Sequence, residues 1–275
     1  MSRPAGRLEG RVAIVTGASP NIGGAIARGF AEEGANVVCT DVTDASAEAC
    51  AATIEEVGGQ ALSVVGDVTD PDHAADVVRR AEERWGRVDV LVNNAVWFNQ
   101  KGLLTMPLED YRRQLDIILG GAFIFTRAVA ASMIRAGTPG SIINILSTAA
   151  WQGQPGNIGY STGKSGLINF TRSAAMELAQ HDIRVNGLTP TATQPADPEV
   201  AQRMAEMMAA AKASPGEWPM DFTGQFPMGR LPTPRDYVPA AVLLAGDDSA
   251  MITGSNITID GGATAKYWPW TPHGA

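Results

Sequence analysis

Short β-branched runs alternate with longer helix-patterned stretches along almost the whole chain, and that alternation leaves few architectures open. A strand, a helix and a second strand running the same way form a unit whose repetition builds a parallel sheet with helices on its faces. Strands are expected at 12–16, 36–41, 61–65, 88–93, 141–147, 184–189 and 256–260. Helices are expected at 22–33, 45–57, 71–85, 108–135, 160–180 and 235–245. Gly34, Gly58, Gly86 and Gly137 follow last turns, where a left-handed residue closes a helix. Asp70-Pro71 places a cap before a first-turn proline. The expected fold is α/β, a single doubly wound domain with a seven-stranded parallel sheet flanked by helices. A length of 275 residues suits that domain and allows a full core.

The segment 190–234 breaks the regularity with one short helix in forty-five residues. It is rich in methionine and aromatics, and Met204 and Met208 share a helical face with Val200 and Met207. Because it follows a strand's carboxyl end, where open parallel sheets bind ligands, it is expected to be a lid over an apolar substrate. The tail 263–275 carries Tyr267-Trp268-Pro269-Trp270 and is expected to dock on a neighbouring subunit or near its site.

Charge and composition exclude several functions. The net charge of −8 and the lack of any Lys/Arg block make nucleic acid and acidic membranes poor partners. His73, His181 and His273 show no ligand spacing, so no metal is expected. Cys39 and Cys50 form no CxxC pair and read as reduced thiols. With no apolar h-region in Met1-Ser2-Arg3-Pro4-Ala5-Gly6-Arg7, the expected location is cytoplasmic.

Candidate chemistry centres on Tyr160 and Lys164, thirteen and seventeen residues beyond Ser147. Four apart on a helix, a phenol and an ammonium share one face, where the cation favours phenolate and makes tyrosine a general base. A free phenol titrates near ~10, and making it tenfold more acidic takes about 1.4 kcal/mol, so several kcal/mol of help is needed to reach neutrality. Gly163-Lys164-Ser165 also suggests a phosphate loop, but that motif needs glycine where Ile158 stands and a strand leading into the loop.

A cofactor turn precedes this pair. Thr16-Gly17-Ala18-Ser19-Pro20-Asn21-Ile22-Gly23 runs from the first strand into a helix, whose amides can meet a diphosphate. Asp41 ends the second strand, where a carboxylate accepts ribose hydroxyls and repels a 2′-phosphate. No Lys or Arg lies in 18–21 or 42–43, so NAD is expected over NADP. Asp67 and Val68 close the third strand, with Asp67 expected on the adenine amino group, and Asn94 and Ala95 close the fourth, bracing the cofactor turn.

These motifs resemble a short-chain dehydrogenase/reductase over residues 8 to 262. The family's cofactor turn matches Thr16-Gly17 through Asn21-Ile22-Gly23, its adenine-side aspartate Asp67, its strand end Asn93-Asn94-Ala95, and its catalytic serine, tyrosine and lysine Ser147, Tyr160 and Lys164. Arg184-Val185-Asn186, Ile252-Thr253-Gly254 and Asp260-Gly261-Gly262 agree as well. The resemblance implies a Rossmann-like fold, hydride transfer between NAD and a CH–OH group, cofactor contacts at Ser19 and Pro190, a Lys164 bond to the nicotinamide ribose, and a homotetramer.

Four residues depart from the family pattern. Asn21 replaces a glycine and is expected to hold a left-handed conformation. Val96 and Thr191 replace glycines beside the expected nicotinamide. Ile118 stands where the family has an asparagine whose amide holds a relay water, so a backbone carbonyl or Gln114 is expected to rebuild the relay. Trp97 and Trp151, with Met204 and Met208, suggest an apolar substrate pocket for a cyclic, terpenoid, steroid-like or aromatic secondary alcohol or ketone. The alternatives are a 3-hydroxyacyl/3-oxoacyl compound or polyol as substrate, and an NAD-binding sensor or scaffold with a weakened site.

Overall fold

The computed structural model describes residues 6–195, Gln202 and residues 226–266. Most of the expected lid, with Val200, Met204, Met207 and Met208, lies outside the described residues, as does the tail beyond residue 266.

Seven parallel strands form one sheet: β1 (Val12–Thr16), β2 (Asn36–Asp41), β3 (Gln60–Val65), β4 (Val90–Asn93), β5 (Gly140–Ile145), β6 (Ile183–Pro190) and β7 (Asn256–Ile259). Their order, β3-β2-β1-β4-β5-β6-β7, reverses direction between β1 and β4, which opens a crevice at the carboxyl ends of those strands. The helices are α1 (Ile22–Glu32), α2 (Asp44–Glu55), α3 (Pro71–Trp85), α4 (Leu108–Leu115), α5 (Gly121–Ala136), α6 (Ile158–Leu178) and α7 (Val238–Ala245).

The middle of the sheet is buried on both faces, so a central strand such as β1 reads as a near-continuous apolar run with all five residues buried. Ala13, Val15, Val92 and Ile143 point to one side, where they pack with Phe30 of α1, Ile54 of α2 and Leu244 of α7. Val12, Ile14, Leu91 and Ile142 point to the other, against Val77 of α3, Phe125 and Met133 of α5, and Ala175 of α6. Cys39 of β2 and Cys50 of α2 bring their sulfurs together within the first of these layers.

Local signals explain most boundaries. The Asp70 carboxylate accepts the Asp72 amide at 2.9 Å ahead of Pro71, and Gly86 ends α3 in the left-handed region. β4 starts two residues later than expected because the Asp89 carboxylate takes the Val12 amide at 2.9 Å and the Arg87 guanidinium. β5 ends two residues early because Ser147 caps the short turn Thr148–Ala150.

The stretch Leu108–Ala136 is apolar and long enough to cross a membrane, and half of its most apolar window is buried in this fold. The sequence pattern predicts one helix there, but a π turn at Asp116–Gly120 interrupts it, with the Gly121 amide reaching back to the Asp116 carbonyl. One extra residue per turn does not register in a stretch whose apolar side chains occupy more than one face.

Three glycines on α6 let this interrupted helix approach. A β-carbon on Gly159, Gly163 or Gly166 would sit 2.1 Å from Gln114 Oε1, 3.1 Å from Ile118 and 3.0 Å from Leu119, respectively. The Gly159→Ala variant gains about 1 kcal/mol of helix propensity but forces buried Gln114 aside. Overpacking of that kind costs about 1–3 kcal/mol, so a melting temperature lower by roughly 2–4 °C is expected, with Gln114→Ala less than additive in the double variant.

Candidate active site

The crevice at the β1/β4 reversal is built around the β1–α1 turn. Gly17 holds φ +62, where a side chain would be strained, and a β-carbon there would lie 2.7 Å from Ala95 Cα. Gly23 is equally confined, since its β-carbon would meet the Gly17 carbonyl at 2.4 Å and Asn94 Nδ2 at 2.5 Å. Asn94 Nδ2 donates to the Gly17 carbonyl at 2.7 Å, and Thr16 Oγ1 accepts the amides of Asn94 at 3.1 Å and Ala95 at 3.3 Å. The ends of β1 and β4 are thereby locked together. Ser19 accepts the Asn21 and Gly24 amides through its carbonyl.

Asn21 is not left-handed: it sits at φ −144 as the exposed cap of α1 and makes no side-chain cap bond, and Gly17 carries the positive φ instead. The first-turn amides of α1, at Ile22 and Gly23, thus face a cradle made of backbone, which suits a diphosphate. Asp41 is largely buried at the end of β2, with one oxygen accepting the Thr43 amide at 3.2 Å. These residues fit an adenine dinucleotide.

Asp67 is more heavily engaged than the sequence suggests. Its carboxylate takes the Thr69 amide at 2.9 Å and hydroxyl at 2.7 Å on one oxygen and the Arg113 guanidinium of α4 on the other. Although burial pushes the other way, those bonds hold its carboxyl below the usual carboxylate range. Any contact it makes with an adenine is shared with Arg113, a residue the sequence does not mark. Val68 lies against Gly121 at the start of α5 and lines the inner wall of the crevice.

Ser147, Tyr160 and Lys164 meet at the far end. Ser147 is the extended cap after β5, its Oγ accepting the Ala149 amide at 3.2 Å. Ser165 Oγ donates to the Ala150 carbonyl, which pins this turn to α6. Tyr160 projects from the first turn of α6, half-buried, with its hydroxyl bonded to Ser147. Lys164, one turn on, is buried, and its Nζ donates to the Ile145 carbonyl at 2.5 Å.

The sequence expectation is that Lys164 and a cationic nicotinamide together acidify the phenol; the protein's own side chains leave it shifted the other way. Burial raises the Tyr160 pKa, and the Ser147 hydrogen bond offsets part of that rise. Lys164 Nζ sits 5.7 Å from the phenol ring centroid, directed at the strand end. Burial drives the lysine down to about 7.

Gln114, expected to rebuild a relay, commits its amide nitrogen elsewhere, while its Oε1 is buried without a partner beside Gly159. Its Nε2 donates to the carbonyls of Trp97 at 3.2 Å and Asn99 at 3.3 Å, which fixes the loop after β4. That loop carries Phe98, whose ring meets Tyr160 edge-on at 5.3 Å. Trp97, Phe98 and Trp151 are 37%, 49% and 50% exposed, so they form a rim and not a core. Val96 is also exposed, while Ile118 is buried behind Tyr160 with Leu146 and Leu167. Thr191 accepts the Thr148 hydroxyl at 3.2 Å, which joins the segments after β5 and β6, and buried Pro190 ends β6 opposite Ile259. The sequence signal for the Gln114 and Ile118 contacts is the spacing of Gly159, Gly163 and Gly166.

Among the described residues no cluster of metal-binding side chains occurs. Residues 17–264 match the family described as enoyl-(acyl carrier protein) reductase. The chain is 36% identical to an L-rhamnose 1-dehydrogenase (NAD(P)(+)) of a Sphingomonas species, covering 93% of this chain and 96% of the relative. It superposes on a short-chain dehydrogenase/reductase of Burkholderia xenovorans with a TM-score of 0.84 at 33% identity, covering 95% and 99% of the two chains. An NAD+-bound xylitol dehydrogenase gives the same TM-score, 0.84, at 32% identity, covering 93% and 99%.

Lys164 makes stability depend on pH. With a folded pKa near 7 against 10.5 for an ordinary lysine, the unfolded chain binds the extra proton between those values. Stability is therefore expected to rise with pH across that window, with the full penalty present below it. Urea denaturation from pH 6 to 9.5 should show this rise, and Lys164→Met should flatten it.

Proposed function

The chain belongs to the short-chain dehydrogenase/reductase family, oxidoreductases that act on alcohol and ketone groups with nicotinamide cofactors, and from that premise we propose an NAD(H)-dependent dehydrogenase of apolar secondary alcohols. The observation that carries this reading is Tyr160, bonded to Ser147 on one side and faced by the Phe98 ring on the other. A cyclic, terpenoid, steroid-like or aromatic substrate would lay its apolar body on the rim of Trp97, Phe98 and Trp151.

When bound, nicotinamide supplies the hydride acceptor for oxidation and the donor for reduction. Ser147 Oγ holds the substrate oxygen, and Tyr160 takes the hydroxyl proton as the carbinol carbon loses hydride. The Phe98 ring stands against one side of the phenol. Lys164 brings positive charge behind the tyrosine and favours phenolate when protonated. The backbone cradle of Gly17, Ile22 and Gly23 would hold the diphosphate, with Asp41 on the adenosine ribose and Val68, Asn94, Ala95 and Pro190 along the cofactor.

A polyol is the second reading, favoured by the names of the rhamnose and xylitol enzymes that the chain resembles. An aromatic rim can also cover the apolar face of a sugar ring, so rates on a panel of sugar alcohols and cyclic terpenoid or aromatic alcohols decide between the two. An NAD-binding sensor is disfavoured by the intact Ser147, Tyr160 and Lys164. Exposed Phe123 and Ile134 on α5 and Met176 on α6 support assembly as a homotetramer, and a cytoplasmic location completes the proposal.

Two variants test the chemistry. Tyr160→Phe should lower kcat by at least about a hundredfold while NADH binding, followed by fluorescence, stays within about twofold; retained turnover would overturn the assignment. Asp41→Ala should reduce the ratio of kcat/KM for NAD over NADP by about tenfold or more, and an unchanged ratio would remove Asp41 from cofactor selection.

A further inference from the structure

One pair of side chains with redox chemistry takes no part in the proposed reaction. Cys39 of β2 and Cys50 of α2 are both buried thiols, and their sulfurs stand 2.7 Å apart, inside ordinary van der Waals contact. A covalent bond of about 2.05 Å needs a further approach of less than an ångström. Among the described residues no metal-binding cluster includes them, so the partner of each sulfur is the other. The Cys50 hydrogen bond and burial together hold the Cys39 pKa far above that of an ordinary thiol.

The chain between the two sulfurs is short and carries a candidate binding residue. It runs from β2 through Asp41 into α2, and Thr43 joins both sides of that turn. The Thr43 amide donates to Asp41 Oδ1 at 3.2 Å, and its hydroxyl oxygen accepts the Ser46 amide at 3.4 Å as the cap of α2. The helix itself is held lightly: it packs on β2 and on the edge strand β3, and it buries only Ala47, Cys50 and Ile54. A helix with so little buried apolar surface opens locally at small cost, and opening carries Cys50 to solvent while Cys39 stays in the sheet.

We propose that Cys39 and Cys50 form a redox site that closes to a disulfide with hydrogen peroxide as oxidant and reopens with a dithiol reductant. Cys50, exposed as α2 opens, attacks one peroxide oxygen; the O–O bond breaks, the sulfur becomes a sulfenic acid and one water leaves. As α2 closes, the Cys39 sulfur attacks the sulfenic sulfur and the S–S bond forms, while the Cys39 proton and the departing hydroxide leave as a second water. The two thiols give up two electrons in all, and the peroxide takes them. Cys39, kept protonated and inside the sheet, does not meet the oxidant and serves as the resolving sulfur. In a reducing compartment the pair rests as thiols. Once closed, the bond staples β2 to α2 across the turn that presents Asp41 and so braces that wall of the crevice. The sulfur chemistry stands apart from the dehydrogenase reading, and only its effect on the cofactor rests on that reading.

Two arms of the test need no activity. The full chain is treated with hydrogen peroxide and unfolded in guanidinium chloride with a maleimide, and its intact mass is read. Both cysteines are expected to escape the label with the mass lower by two hydrogens, and both should be labelled again after dithiothreitol. Cys50→Ser, or Cys39→Ser if the first does not fold, should show no such loss. Full labelling after peroxide, or sulfinic acid on either cysteine of the unaltered protein, overturns the site. In the second arm, amide hydrogen exchange across residues 42–50 should slow in the oxidised protein and not in peroxide-treated Cys50→Ser; unchanged exchange in protein whose mass shows the bond overturns the brace. In the kinetic arm the bond should lower the KM for NAD by about twofold or more, with kcat within about twofold, and dithiothreitol should reverse the change. An unchanged KM in protein shown by mass to be oxidised refutes the link to the cofactor. Absence of alcohol oxidation by the reduced protein refutes the dehydrogenase reading and leaves the sulfur site to be decided by mass and exchange.

Discussion

An ammonium group buried against the carboxyl end of a parallel sheet is the constraint around which the rest of the crevice is arranged. Lys164 reaches the Ile145 carbonyl from α6, and glycines on α6 let the interrupted helix beside it pack closely. The same closeness sets Tyr160 against Ser147 and behind the Phe98 ring. Taking an amine out of water is costly, which is why its proton is held weakly and why a strand-end carbonyl must meet it. Stability is given up at one residue so that a group able to gain and lose a proton near neutrality stands behind the phenol.

Much of this architecture is legible in the chain. The limits of β1 and β2 follow from runs of apolar residues bounded by turn signals, and the closure of α3 follows from Asp70-Pro71 and Gly86. Ser147, Tyr160 and Lys164 are marked by spacing and are brought together at one end of the crevice. What escapes the sequence is the state of each group. Spacing places an amine one turn from a phenol but says nothing of desolvation, and desolvation sets the direction in which both pKa values move. Likewise Asp67 carries an aspartate's chemistry on paper, while in the fold its oxygens are shared with Thr69 and Arg113.

The π turn at Asp116–Gly120 illustrates a second limit. Periodicity reports which faces of a helix are apolar, and a stretch that is apolar on several faces hides an inserted residue. The turn brings Ile118 inward against Gly163, so a side chain that looks like a damaging departure is accommodated by a neighbour with none. Substitutions at these two positions are best read as a pair. Asn21 teaches the same lesson in reverse, because the left-handed conformation assigned to it belongs to Gly17.

Two consecutive side chains of α4 reach opposite ends of the crevice: Arg113 grips the carboxylate of Asp67, and Gln114 grips the carbonyls that hold the aromatic loop. One helical turn thus ties the wall at Asp67 to the rim around the phenol. A tilt of that turn would move both walls at once, because two adjacent residues of one backbone hold them.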